Sequence, residues 1–225
     1  MLGSAHRTVF LISLIAVPSG AFAQGPGSVS GRLTVADEGN RLARDVDQAV
    51  VWLESSRSFP VEQTSHTVVM ADKEFRPHVV ATTVGSSIAF PNEDPFNHNA
   101  FSRSRMGEFD LGLYGRGGTR STSFSLAGVY RIYCNVHPRM SALAVVRDNP
   151  FFAQPAADGS FEIRGVPAGV YTVVAWHERA GETRQNVEVA ASGAVVSLEL
   201  DARGFQPEDH LDKYGRPYKT RGRRY

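Results

Sequence analysis

Apolar positions fall in short alternating runs along most of the chain, separated by Gly, Pro, Asn and Asp, which is the pattern of β-strands and turns. Residues 29–35 and 49–54 read as two strands joined by a polar turn through Asp37 and Asn40. A proline-containing connector covers 55–63. Between His66 and Arg147, runs at 67–70, 79–84, 87–90, 122–126, 129–133 and 142–146 predict an independent β-sandwich. Beyond Asp148, Asp158-Gly159 forms a turn between two strands, and Pro167-Ala168-Gly169 leads into the alternating strand 170–173. Further strands are expected near 184–189 and 195–200. The predicted class is all-β.

One short stretch carries chemistry that strand formation does not need. It reads Cys134-Asn135-Val136-His137-Pro138-Arg139-Met140, and Cys134 is the only cysteine in the sequence, so it has no internal disulfide partner. Strand, tight loop, strand is the expected local structure. Thiolate and thioether favour Cu(I), imidazole accepts both oxidation states, and two histidines with one cysteine and a weak axial methionine make an electron-transfer copper site. A second imidazole is available at His98, on the polar loop Pro91-Asn92-Glu93-Asp94-Pro95-Phe96-Asn97-His98-Asn99. The competing reading of these residues is a buried thiol beside a solvated imidazole.

The His98-Asn99 loop followed by Cys-x2-His-x2-Met resembles the cupredoxins, and its spacing looks most like the amicyanin branch of that family. The sequence departs from that branch at Asn135-Val136, where Thr-Pro is usual, and at Asn97, where plastocyanin-like loops often carry proline. The resemblance implies a Greek-key β-sandwich over residues 65–147 holding one type 1 copper. Its ligands are Cys134, His98 and His137 in the plane and Met140 on the axis. Asn99 is then the residue that ties the two ligand loops together, against the alternative of a turn asparagine satisfied locally, and Pro138 stiffens the loop behind His137.

Residues 28–56 and 150–203 together resemble a carboxypeptidase-regulatory-like, transthyretin-type β-sandwich, split by the cupredoxin as in methylamine-utilisation-type periplasmic proteins. The alternative is that the first two strands add to the cupredoxin sheet. Three enzyme classes lack their residues: a binuclear copper-thiolate centre needs a second cysteine, a trinuclear cluster needs His-x-His pairs, and copper nitrite reductases place histidine beside the ligand cysteine, where Tyr133 and Asn135 stand. The expected role is therefore an electron carrier and not an enzyme. Copper storage or delivery is the competing function.

Composition changes the picture in two ways. Of the 225 residues 42% are hydrophobic and 21% charged, which suits one large or two small globular domains. His6 and Arg7, the apolar run 9–17 and Ala21-Phe22-Ala23 form a secretory signal peptide over 1–23, with cleavage after Ala23 and export to the periplasm; no segment is long enough for a membrane span. Removing Arg7 leaves 23 basic against 23 acidic residues, so bulk charge predicts no nucleic-acid partner. The expected partner is a redox protein such as a c-type cytochrome or a periplasmic dehydrogenase. Residues 204–225 read as a basic flexible tail, open to surface contact with an acidic partner. His66, His78, His177 and His210 have no ligand partner at motif spacing and read as surface or capped residues.

Overall fold

The computed structural model describes residues 26–207 and 210–218. The expected signal peptide, and Lys219, Arg221, Arg223 and Arg224 of the tail, lie outside the described residues. Among the described residues there is no α-helix, and none of the helices present is long and apolar enough to cross a membrane. The strands are β1 (Gly27–Asp37), β2 (Arg41–Leu42), β3 (Val50–Glu54), β4 (Ser65–Thr67), β5 (Val69–Ala71), β6 (Glu74–Arg76), β7 (Val79–Thr83), β8 (Ser87–Pro91), β9 (Phe101–Ser104), β10 (Gly107–Asp110), β11 (Thr119–Ser123), β12 (Gly128–Tyr133), β13 (Ser141–Arg147), β14 (Phe152–Ala153), β15 (Ser160–Val166), β16 (Gly169–His177), β17 (Gly181–Val189) and β18 (Ala194–Asp201). The protein is an all-β arrangement of packed sheets.

Strands from the two ends of the chain share two sheets. One has the order β15-β1-β18 with β2 at its side, and the other has the order β14-β3-β16-β17. The middle of the chain builds the rest: β10-β9-β12-β13-β7, β11-β8-β4 and the hairpin β5-β6. Strand β1 runs parallel to β18 and comes so close that a Cβ at Gly31 would meet the Val196 carbonyl oxygen, so only glycine fits there.

Side-chain alternation sorts the strands into four layers with three apolar seams. On β3, Val51 and Leu53 face the core shared with β1, β15 and β18, while Val50 and Trp52 face the other way. On β13, Ala142, Ala144 and Val146 enter the core of the middle sandwich, while Leu143 and Val145 meet Val50, Trp52 and Val174 in the seam between the sandwiches. Strands β3, β7 and β13 are thus covered on both faces, and their near-continuous apolar sequence follows from that, as for any doubly buried strand. Period-two reading of the sequence missed the hairpin β9–β10 because its residues are mostly polar, and placed the β11 region too late: its Ser/Thr stretch 119–123 pairs with β8, and Phe124 beyond it enters the core.

A polar clamp crosses the same seam. Glu178 accepts from the His78 ring at 2.8 Å and from Arg131 at 3.0 Å, and the other His78 nitrogen donates to the Ser141 carbonyl at 3.0 Å. Both ring nitrogens therefore donate, the state of the imidazolium. The Glu178 hydrogen bond holds the His78 pKa above its ordinary value against burial. Burial pushes the Glu178 carboxyl up, but His78 and Arg131 bring it below its ordinary value.

Leu143→Ala is expected to cost about 2–4 kcal/mol, the range for a large-to-small change in a closed core. Because the seam couples both sandwiches, calorimetry should show a single transition, and two separated transitions would show the seam to be energetically idle. The clamp predicts a pH window. The His78 contribution is fully present below about 6.5 and is lost as pH rises through its raised folded value. The Glu178 contribution is present above about 4.5 and is lost as pH falls through its lowered folded value. The stability gap between the protein and His78→Gln should thus be widest between these limits, about 1–3 kcal/mol, and should shrink at alkaline pH in urea titrations.

Candidate metal centre

Two loops meet because β9 and β12 pair, with Tyr133 opposite Phe101 and Ile132 opposite Ser102. The first loop, 92–100, enters β9 and carries His98. The second, 134–140, joins β12 to β13 and carries Cys134, His137 and Met140. Each is closed by its own backbone. His98 exchanges both backbone hydrogen bonds with Tyr114, at 3.0 and 3.1 Å. The Cys134 N–H donates to the Met140 carbonyl at 3.1 Å, and the Met140 N–H donates to the His137 carbonyl at 3.0 Å. The Asn92 side chain, buried, donates to the carbonyls of Phe96 and Tyr114 and so fixes the shape of the first loop.

These loops bring three donor atoms together. The Nδ1 atoms of His98 and His137 are 3.1 Å apart, and the Cys134 sulfur lies 3.7 Å from the first and 3.9 Å from the second. Cys134 and His98 are fully buried and His137 is half-buried. Bonds of about 2.0–2.3 Å from all three donors to one metal ion would fit within such a triangle, so Cys134, His98 and His137 could hold it together. Burial pushes the His137 pKa down, and the neighbouring His98 and Lys73 push it the same way against Asp94, so its imidazole is held neutral with a lone pair to offer. The Val136 N–H points at the Cys134 sulfur at 3.4 Å.

Met140 is buried in the same apolar core as Cys134. Asn99 spans the two loops: its carbonyl oxygen accepts from the Asn135 N–H at 2.7 Å, and its amide donates to Asp110 at 3.2 Å. Pro138 is exposed, and its carbonyl accepts from the His210 ring at 2.6 Å. Phe96 stands edge-on to His137 with its face toward the Lys73 ammonium, and Phe96 and Val136 are exposed while His137 is partly so. Phe101 is buried against Tyr133.

Asp94 is a residue that motif reading passed over. Its carboxylate accepts from His98 Nε2 at 2.8 Å with both side chains buried, which leaves Nδ1 as the free lone pair aimed at the cluster. It also accepts the N–H groups of Asp72 and Lys73, both at 2.8 Å. Those two residues hold the positive φ angles, 55° and 61°, of the tight turn between β5 and β6. Burial pushes the Asp94 carboxyl up, but the Lys73 N–H, His98 and the Asp72 N–H outweigh it and hold it below the ordinary carboxylate range. No spacing rule singles out this aspartate; an Asp four residues before a loop histidine was its only sequence signal.

Of the other histidines, His66 lies between Thr64 and Thr82, and His177 is buried and bonded to the Asp45 carbonyl. His210 is different, since it stacks on Tyr133 at 3.7 Å. Where composition suggests a solvated tail, residues 210–218 are laid against the 134–140 loop. The Lys213 N–H donates to the Asn135 side chain, and the Tyr218 hydroxyl donates to the Cys134 carbonyl.

No protein-family profile matches the chain, and no curated protein matches it. Among solved structures, an oxidized amicyanin mutant is 20% identical and aligns over 36% of this chain and 80% of its own, with a TM-score of 0.34. A reduced amicyanin mutant aligns over 43% of this chain and 98% of its own at 20% identity and a TM-score of 0.35. A Cu-containing nitrite reductase from Thermus scotoductus is 28% identical over 42% of this chain but only 24% of its own, with a TM-score of 0.34.

Removing the carboxylate partner of His98 is expected to weaken metal binding without unfolding the chain. Asp94→Asn should lower the affinity for a bound metal about 10- to 100-fold, the usual effect of losing a partner that orients a ligand histidine. Competition with a chromophoric chelator measures it, and an unchanged affinity would show that Asp94 serves only the β5–β6 turn.

Proposed function

We propose that this chain is an exported electron carrier that holds one type 1 copper through His98, Cys134 and His137, with Met140 as a weak axial ligand. The reading is carried by one observation: two imidazole nitrogens and a thiol sulfur converge within 3.9 Å of one another, close enough to bind a single metal ion. Soft sulfur with two imidazoles suits copper in both oxidation states, and the buried Met140, whose carbonyl holds the Cys134 N–H, is the thioether proposed to join them. When bound, copper supplies a one-electron couple.

The rest of the work falls to the chain. Asp94 fixes the tautomer of His98, and the Val136 N–H donates toward the sulfur. Asn99 locks one loop to the other. Ligands held from several sides keep similar positions in both oxidation states, which favours electron transfer over metal exchange and so favours a carrier over a delivery protein. The partly exposed His137, with exposed Phe96 against it, offers the exit toward a protein partner, for which a c-type cytochrome or a periplasmic dehydrogenase is the proposed class. In the same reading residues 65–147 are a cupredoxin module set between the halves of a second, regulatory-like sandwich, 28–56 with 150–203, that serves as scaffold.

The copper-loaded protein is expected to bind one equivalent of metal and, oxidised, to show the intense thiolate-to-copper charge-transfer colour. Cys134→Ser should abolish the colour. Met140→Leu should keep the metal and raise the potential, because the axial bond helps stabilise Cu(II). Preferential loading with redox-silent zinc, or colour persisting in Cys134→Ser, would overturn the reading. Rapid copper transfer to a weak acceptor without a reversible redox wave would favour delivery instead.

A further inference from the structure

The ligand loop is gripped from outside by a segment that belongs to neither loop. Three residues of 210–218 reach its backbone or its flank. Tyr218 donates its hydroxyl to the carbonyl of Cys134 at 2.9 Å, His210 donates Nε2 to the carbonyl of Pro138 at 2.6 Å, and the Lys213 N–H donates to Asn135 Oδ1 at 2.9 Å. The His210 ring lies flat on Tyr133, the residue before Cys134, with ring planes 16° apart, and Tyr218 meets the His210 ring edge-on at 5.1 Å.

The segment is shaped before it grips. Asp212 accepts the N–H groups of Tyr214 and Arg216, and its own N–H donates to the Arg216 carbonyl, which makes a compact turn. That turn is anchored on the β9–β10 side: Arg103 donates to the Lys213 carbonyl at 3.0 Å, and the Lys213 ammonium meets Asp110 at 2.5 Å. Asp110 also accepts from Asn99, whose carbonyl oxygen holds the Asn135 N–H. The bonds close a ring from Lys213 to Asn135, Asn99, Asp110 and back to Lys213. The Asn135 peptide and side chain are thus fixed from both sides, one residue from the thiol.

We propose that residues 210–218 act as a positioning strap, with Tyr218, His210 and Lys213 holding the 134–140 loop against the His98 loop and setting how rarely the site opens. The proposal rests on the metal reading of the same loop and adds that its kinetic closure comes from outside the middle sandwich. A hydrogen bond to a backbone carbonyl is worth a few-fold in a local opening equilibrium, and several acting on one short loop multiply while they open together.

The test uses full-length variants with two independent readouts. In the metal-free protein, amide hydrogen exchange of Asn135 to Met140 should quicken about 5-fold in Tyr218→Phe and about 30-fold in Tyr218→Phe/His210→Ala, while amides of β13 and β16 stay unchanged. In the copper-loaded protein, release to an excess chelator should quicken by similar factors. His210→Phe, which keeps the stacked ring, should recover part of the loss relative to His210→Ala. Loop exchange that is the same in all variants overturns the strap. So does a Lys213 amide in the unaltered protein that exchanges as fast as an unstructured chain. Failure of the protein to take up copper at all would strike the metal reading alone, because the exchange measurement needs no metal.

Discussion

Two imidazole nitrogens and a sulfur converge on one point, with separations of 3.1, 3.7 and 3.9 Å. A folded chain can hold such an arrangement only if each donor is prevented from turning away. His98 cannot turn because Asp94 holds its far nitrogen and Tyr114 holds its backbone. Cys134 cannot withdraw because its N–H is tied to Met140 and its carbonyl to Tyr218. The polar groups around the cluster satisfy one another's hydrogen bonds while they restrain His98 and Cys134, which is why so many of them can be buried there.

That restraint depends on the sheets behind it. The His98 loop meets the Cys134 loop only because β9 pairs with β12, and β12 is held by β13, whose other face is packed against β3 and β16. The second sandwich therefore does more than occupy the ends of the chain. Through Leu143, Val145, Trp52 and Val174 it forms a wall behind the strand that leads out of the 134–140 loop, and the His78–Glu178–Arg131 clamp crosses the same wall. Residues 210–218 then reach over to the 134–140 loop, so the cluster is braced from behind by the seam and from outside by this segment.

The donors at 134–140 were legible because their spacing is local. A cysteine, histidine and methionine within seven residues between two apolar runs must share one loop, whatever the rest of the chain does. His98 was legible by its polar, asparagine-flanked loop at a strand end. The strands of the outer sheets were legible from strict alternation, as in Val29, Leu33 and Val35 of β1 and Val196, Leu198 and Leu200 of β18. The partnership of β1 with β15 and β18, and of β3 with β16, was left open between two sandwiches, because an alternating strand states that one face is buried but not against what.

By itself, then, the sequence determined the all-β class and the positions of most strands, and it put Cys134, His137 and Met140 within one short stretch, all of which is encoded over a few neighbouring residues. Only the tertiary structure decided which sheets those strands join, that β3, β7 and β13 are covered on both faces, and what surrounds the donors. Asp94 looked like one more loop acid until folding placed it against His98 and the turn at Asp72 and Lys73. His210, Lys213 and Tyr218 looked like part of a solvated tail for the same reason: their bonds run to residues 72 to 110 positions away, and no local pattern of polarity records a contact across that distance.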